Sequence, residues 1–403
     1  MRKIDPTNAQ VASSETARDI NRSIVLNLIR TNQPLSRADL ARATGLQRST
    51  ISLIVDQLMS ERWVVEGAVG QLPRGRKPRL LSLNIDRAGI IGINIMPSGT
   101  TVVLADLNAN FREQVSIPTA ADPKEFIHAL CARVRALIRA HPDTAYEGIG
   151  VSVPGRVDYL SQNLVFAPNL GWKLVDLKTP LERATRLAVQ IENAANACAL
   201  AEVWAGPHEG TRDLIAVTVS EGIGTGIIMN GHLVRGESGA AGEFGHVSWD
   251  GEGPPCGCGS RGCWEVYASN LAAIKNYNYG LGKNEAHWNK AQRHASVSDF
   301  NDLLLLAEGG DVTASEVLDC MAYYLGLGIA MLVNALAPSI ITIVGEVTRI
   351  WGRVNPIVQR VVQERARTHA RTRIVPSDNS TQPRLRGTVA LVLEKHFQPQ
   401  LVV

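Results

Sequence analysis

The chain has 403 residues, which at roughly 100–200 residues per domain predicts two to three domains. With 45% hydrophobic and 20% charged residues it falls outside the disordered, collagen-like and coiled-coil classes. No apolar run approaches the roughly 20 residues of a membrane helix and no secretory stretch opens the chain, so a soluble, cytoplasmic protein is expected. The formal net charge of +3 is uneven: residues 1–87 hold 14 Lys+Arg against 8 Asp+Glu, and the remainder holds 27 against 30. A basic first segment on a mildly acidic body points to a polyanionic partner.

Residues 1–15 are polar and aperiodic and read as a flexible arm. From Ile20 onward Ile24, Val25, Leu28 and Ile29 recur at helical spacing and stop before Pro34. Ser36 with Asp39 three residues later marks a helix start running through Leu40, Ala41 and Ala43. Thr44-Gly45-Leu46 breaks it, and the next helix carries Ile51, Leu53, Ile54, Val55 and Leu58 as expected core contacts. A helix, short helix, glycine turn and helix place the last helix in a DNA major groove. Its exposed start presents Gln47, Arg48, Ser49, Thr50 and Ser52, which can reach base edges or phosphates.

Trp63–Val65 and Leu80–Leu83 are strand-like, and the Gly/Pro-rich basic stretch between them reads as a wing. There Arg74, Arg76, Lys77 and Arg79 can approach phosphates or a narrow minor groove. Residues 16–84 are therefore expected to form a winged helix-turn-helix that binds double-stranded operator DNA. The two-fold symmetry of operators implies a homo-oligomer, dimer or tetramer. Residues 84–89 form the expected hinge to a body spanning 85–403.

In that body Ile90–Asn94, Thr101–Asp106, Phe111–Ile117, Gly148–Val153, Val189–Glu192, Leu214–Val219, Gly226–Met229 and Ile340–Val344 read as strands. Helices are expected over Pro123–Ala140, Ala195–Trp204 and Ala314–Ala337. This alternation predicts α/β layers with sites at strand ends. The polar run 278–300 reads as a surface insertion without assignable chemistry.

Three of the six cysteines crowd together as Cys256, Cys258 and Cys263, shortly after His246. Three thiols and one imidazole match a closed tetrahedral zinc site, with no protein position left open for water. The zinc is therefore expected to be structural, and a catalytic hydrolase zinc is disfavoured.

The segment from Gly242-Glu243-Phe244-Gly245-His246 to Cys263-Trp264-Glu265 resembles the zinc signature of the ROK family, which comprises repressors, open reading frames and sugar kinases. The resemblance extends through Pro154-Gly155, Pro168–Trp172, Glu192-Asn193 and Gly222–Gly226, and covers nearly all of residues 87–400. It implies an actin/hexokinase-like, duplicated α/β (ribonuclease H-like) body, to which the repressor branch adds a winged helix. It also implies that Asn169, Asn193, Glu243, His246 and Glu265 hydrogen-bond a sugar, with His246 ligating zinc as well.

The kinases of this family need a glycine-rich first hairpin and a carboxylate base. Where their hairpin resembles Asp-x-Gly-Gly-Thr, this chain reads Asn94-Ile95-Met96-Pro97-Ser98. Where they read Glu-Asn-Asp, it reads Glu192-Asn193-Ala194, and alanine accepts no proton. A third glycine-rich turn survives as Gly345-Glu346. No catalytic residue is expected, and the reading is a transcriptional regulator that binds a monosaccharide effector without phosphorylating it. Without the aspartate, a pentose or another sugar lacking the phosphorylated hydroxyl is also admissible. The rivals are a sugar kinase with a DNA-binding head and a regulator controlled by a protein partner.

Overall fold

The computed structural model describes residues 14–69, 79–204, 206–279, 296–367 and 371–397. The wing residues Arg74, Arg76 and Lys77 lie outside the described residues, as do 1–13 of the expected arm and 280–295 of the polar run.

The N-terminal part consists of α1 (Ser14–Asn32), β1 (Leu35–Ser36), α2 (Arg37–Thr44), α3 (Arg48–Ser60), β2 (Val64–Val69) and β3 (Arg79–Leu83). Ser36 and Asp39 satisfy each other's backbone N–H groups reciprocally at the start of α2, which closes two donors that a helix leaves open. Gly45 ends α2 at φ 71°, in the left-handed region where glycine carries no side-chain penalty. β3 lies between β1 and β2 as an antiparallel ribbon.

On α3 the buried stripe is Ile51, Ile54, Val55 and Leu58. Leu53, expected in that core, is instead 70% exposed. At about 100° per residue it sits about 200° around the helix from Ile51, off the buried stripe.

The body contains two sheets of the same connectivity. In the first, β4 (Gly89–Met96), β5 (Gly99–Ala105) and β6 (Phe111–Ile117) form an antiparallel meander. Helix α4 (Pro123–Ala140) then crosses to β7 (Tyr146–Val153), parallel to β4. A small antiparallel sheet of β8 (Arg156–Asp158), β9 (Asn163–Ala167) and β10 (Trp172–Val175) follows. Helix α5 (Lys178–Thr185) leads on to β11 (Val189–Asn193), parallel to β7.

After α6 (Ala194–Trp204) the scheme repeats with the meander β12 (Leu214–Val219), β13 (Ile223–Met229) and β14 (His232–Leu233). Helices α7 (Glu265–Ala268), α8 (Asn270–Tyr279), α9 (Phe300–Glu308) and α10 (Val312–Leu336) cross to β15 (Ile340–Val344). Helix α11 (Trp351–Arg365) precedes β16 (Arg373–Pro376), and α12 (Pro383–Phe397) ends the described chain. The orders β6-β5-β4-β7-β11 and β14-β13-β12-β15-β16 match strand for strand. This is the duplicated α/β, actin/hexokinase-like fold. The central strands β4 and β12 are buried almost throughout, because both faces of each sheet are covered.

Helix α10 is the one described helix long and apolar enough to cross a membrane. Its Leu318, Leu325, Ile329 and Leu332 are buried in the second lobe's core, so the packing is that of a core helix. Helices α6 and α12 pack on each other and on the inner strands. Their approach is close enough that a Cβ on Gly387 would fall 2.0 Å from the Ala197 carbonyl oxygen, and only glycine permits it.

One hydrophobic cluster runs from Leu26, Ile29 and Trp63 in the N-terminal part to Ile90, Val392 and Phe397 in the body. The expected hinge is itself pinned there, since Arg87 lies 3.7 Å over the Trp63 ring and pairs with Glu147 at 2.8 Å.

Candidate functional site

The carboxyl ends of β4, β7 and β12 open onto a cavity of about 380 Å³ between the lobes, the place where α/β sheets hold small ligands. Asn169, Asn193, Glu243, His246 and Glu265 all line it. Asn169 is carried by the short turn after β9. Asn193 closes β11 and caps α6, its Oδ1 accepting from the Asn196 N–H at 2.7 Å, which leaves its amide NH₂ to face outward. Beside it the buried Glu192 accepts from Asn196 Nδ2 and from Arg235 Nε, both at 2.9 Å.

Glu265 begins α7, and its Oε2 accepts from the Ile223 N–H at 3.4 Å. A Cβ on Gly222 would lie 2.6 Å from that oxygen, so the glycine is what lets the carboxylate sit in the cleft. His246 has its two ring nitrogens on different sides. Nε2 is 3.8 Å from Glu243 Oε2, whereas Nδ1 is 3.6 Å from Glu265 Oε1 and 3.5 Å from Cys256 Sγ. Desolvation raises the Glu243 pKa above the usual carboxylate value, and the charge of Glu265 adds to that shift against His246 and Arg156.

Behind His246 the donor atoms of Cys256, Cys258 and Cys263 join its imidazole within 4.8 Å of one another, and the Cys258 and Cys263 sulfurs are 3.7 Å apart. The four can hold one metal ion. Burial raises the thiol pKa of Cys256 and Cys263, a bias that a bound cation reverses.

The positions that the kinase resemblance assigns to phosphoryl transfer hold other residues here. Ala194 and Pro97 are on the cavity wall, and a proline offers no backbone donor. Asn94 is buried beside Ser152, and its Oδ1 finds no partner among the described residues. At the surviving Gly345-Glu346 turn, the Glu346 carboxylate accepts from Asn270 Nδ2 at 2.9 Å.

Two cationic cavity residues escape sequence reasoning, Arg384 at the start of α12 and Lys275 on α8. Neither belongs to a local motif, and only tertiary packing brings them to the cleft.

At the start of α3, Gln47, Arg48 and Ser49 are exposed, and Thr50 and Ser52 are half-buried. The first turn of α3 has no acidic residue and carries Arg48, where the helix dipole favours an anion. That end is electrostatically suited to a phosphate, and Leu53, one turn beyond Ser49, is exposed. Arg79 is paired with Glu66 at 2.9 Å.

The ROK family profile matches residues 90–395. The chain is 34% identical to the xylose repressor of Bacillus subtilis (strain 168) over 331 residues, 81% of this chain and 82% of that protein. It is 33% identical to a glucokinase of Halalkalibacterium halodurans, over 64% of this chain and 80% of that one. Among solved structures, a ROK family transcriptional regulator described as a homolog of the E. coli MLC protein superposes with a TM-score of 0.81 at 23% identity. That superposition covers 95% of this chain and 98% of the other. With the duplicated fold, the cysteine–histidine cluster and these likenesses together, the chain belongs to the ROK family.

Proposed function

We propose that this chain is a sugar-responsive, DNA-binding transcriptional repressor whose body binds a monosaccharide or derivative without phosphorylating it. The observation that carries the reading is a single cavity lined by five polar side chains from both lobes while the base position is Ala194. Amides and carboxylates match the paired donors and acceptors of sugar hydroxyls. A lost general base costs about 10²–10⁴ in rate, and Pro97 further weakens the phosphate cradle. Likeness to a xylose repressor favours the regulator. Likeness to a glucokinase keeps a kinase with a DNA-binding head as the second reading, and sustained ATP turnover with a sugar would select it.

Zinc fits the donor set. Zn–S near 2.3 Å and Zn–N near 2.0–2.1 Å imply tetrahedral donor–donor edges of about 3.4–3.8 Å. The observed His246–Cys256 and Cys258–Cys263 separations are 3.5 and 3.7 Å. Four protein donors make its role structural: when bound, zinc neutralises the thiolates and orients His246 by its Nδ1. The imidazole Nε2 is thereby left as a donor toward Glu243 and the cleft.

In this reading residues 16–84 form the head that binds double-stranded operator DNA, and residues 85–403 form the cytoplasmic sensor body. The chain works as a homo-oligomer, dimer or tetramer, so that two heads meet two half-sites. Gln47, Arg48, Ser49, Thr50, Ser52 and Leu53 contact DNA, and the wing residues Arg74, Arg76 and Lys77 contribute phosphate contacts.

Helices α6 and α12 both begin at the cleft and end beneath the head, with Trp204 and Phe397 meeting edge to face at 5.7 Å. They carry the coupling. A sugar that prefers one head placement by about 1–3 kcal/mol changes DNA affinity about 5- to 150-fold. Fluorescence anisotropy of labelled operator fragments, with and without a panel of aldohexoses, amino sugars and pentoses, tests the reading. A change in affinity with one of them is expected.

A further inference from the structure

Arg235 ties the two lobes to the last helix through contacts that sugar recognition does not use. It follows β14 in the second lobe, and neither it nor its partners Glu192 and Glu394 lines the cavity. Its Nε donates to Glu192 Oε2 near the end of β11 in the first lobe, and its Nη2 donates to Glu394 Oε2 on α12 at 3.2 Å. The guanidinium also lies 4.7 Å over the Tyr159 ring. The side chains of Arg235, Glu192 and Glu394 are only 17%, 8% and 16% exposed. Pulling a poorly solvated carboxylate away from its cation costs more than moving the three groups together. A guanidinium is planar and stiff, so a turn imposed on its Nε edge reaches its Nη2 edge.

Each end of this network meets something the sensor needs. At the cleft end, Glu192 Oε1 accepts from the Asn193 backbone N–H at 3.0 Å and from Asn196 Nδ2 at 2.9 Å. A hydroxyl that draws on the Asn193 amide therefore moves the peptide bonded to Glu192. At the other end, Glu394 lies three residues before Phe397, where α12 ends. In that last turn His396 packs on the Trp63 ring at 4.7 Å, and Phe397 meets the same ring edge to face at 5.9 Å. His396 also hydrogen-bonds Glu147, which holds Arg87 at 2.8 Å. The 15 residues of α12 run about 22 Å, whereas the ion network enters the helix within one turn of its contacts with Trp63.

We propose that Arg235 is a positioning residue that transmits occupancy of the cleft to the last turn of α12, and so to the placement of the DNA-binding head. The proposal rests on the sensor reading and names the side chains that couple its two ends.

Two variants of the full-length protein test it, with glucose, glucosamine and xylose standing for the three sugar classes. Glu394→Met removes the acceptor on α12 and leaves a balanced Arg235–Glu192 pair. Arg235→Lys keeps the charge and loses the fork that spans two carboxylates. Calorimetry reads sugar affinity, and anisotropy of labelled operator reads the sugar-induced change in DNA affinity. Hydrogen exchange of residues 390–397, with and without sugar, reads the last turn of α12. Both variants should bind sugar within about two-fold of wild type, while the sugar-induced change in operator affinity shrinks by about 2- to 30-fold. Sugar should alter exchange in residues 390–397 of wild type and do so less in either variant.

A full sugar-induced shift in either folded variant would overturn the proposal and leave the sensor reading standing, with Arg235 a staple between the lobes. Sugar affinity and operator response lost by the same factor would overturn it too, because the network would then only shape the cleft. Wild-type protein that binds no aldohexose, amino sugar or pentose would remove the sensor reading itself.

Discussion

Arg30 and Trp204 join the N-terminal helix to the end of α6: the guanidinium donates to the Trp204 carbonyl and lies 4.7 Å over its indole ring. Arg30 also pairs with Glu209 at 2.6 Å. Because α6 starts at Asn193–Ala194 in the cleft, this contact lies at the far end of a rigid element whose first turn faces the effector. Replacement of Arg30 by methionine keeps bulk and removes the carbonyl bond and the ion pair. R30M is expected to lose about 1–3 kcal/mol of stability. It should also reduce the effector-induced change in operator affinity, measured by anisotropy, while sugar binding by calorimetry stays unchanged.

Arg48 and Leu53 act on DNA differently. Arg48→Ala should weaken operator binding and reduce the slope of log K against log salt by about one, the signature of one lost phosphate contact. Leu53→Ser should weaken binding with the slope unchanged, since no charge is lost. Anisotropy titrations across a salt series separate the two, and identical slopes for both variants would contradict the assignment.

Asn193 has two jobs that substitutions can divide. Asn193→Ala removes the α6 cap and should cost about 0.5–2 kcal/mol as well as sugar affinity. Asn193→Asp keeps an oxygen for the cap and removes the outward NH₂ donor, so stability should be near wild type and sugar binding reduced. Denaturant unfolding and calorimetry on the pair check this.

Glu147 holds the seam between head and body. Against the desolvation that would raise it, hydrogen bonds from His396 and Arg87 lower its pKa from 4.5 to about 2. A carboxylate depressed on folding contributes stability that is fully present above its unfolded pKa and is lost as pH falls through the folded one. The contribution should therefore fade between about pH 4.5 and pH 2. Glu147→Gln should be less stable than wild type at pH 7 and close to it near pH 2. Parallel melting curves for the two proteins at every pH would refute the assignment.

Cys258→Ala removes one of four converging donors. Metal content by mass spectrometry should fall, and the melting temperature should drop with it. Sugar affinity should weaken too, because His246 loses the partner that fixes its ring.

Local chemistry made much of this molecule legible in its letters. The Ser36/Asp39 cap, the Gly45 turn and the buried stripe of α3 follow from spacing, and the apolar run Ile90–Asn94 reads as a strand. The cysteine–histidine spacing in the 242–265 loop anticipates four donors that meet in space. Leu53 was misplaced because hydrophobicity alone does not assign a helix face, whereas its angle from Ile51 does. The small β8–β10 sheet escaped because its strands are short and lack sustained alternation. Arg384 and the Arg30–Trp204 contact were invisible because each pairs residues more than a hundred positions apart, and nothing in the local pattern signals such a meeting.

The central claim is that occupancy of the cleft changes DNA binding and yields no product. Its most direct test is one titration of labelled operator with effector in the presence of ATP and magnesium, read for anisotropy and for sugar phosphorylation together. The account predicts an operator affinity shifted about 5- to 150-fold with no phosphorylated sugar above background. Sustained turnover, or bound sugar that leaves operator affinity unmoved, would contradict it.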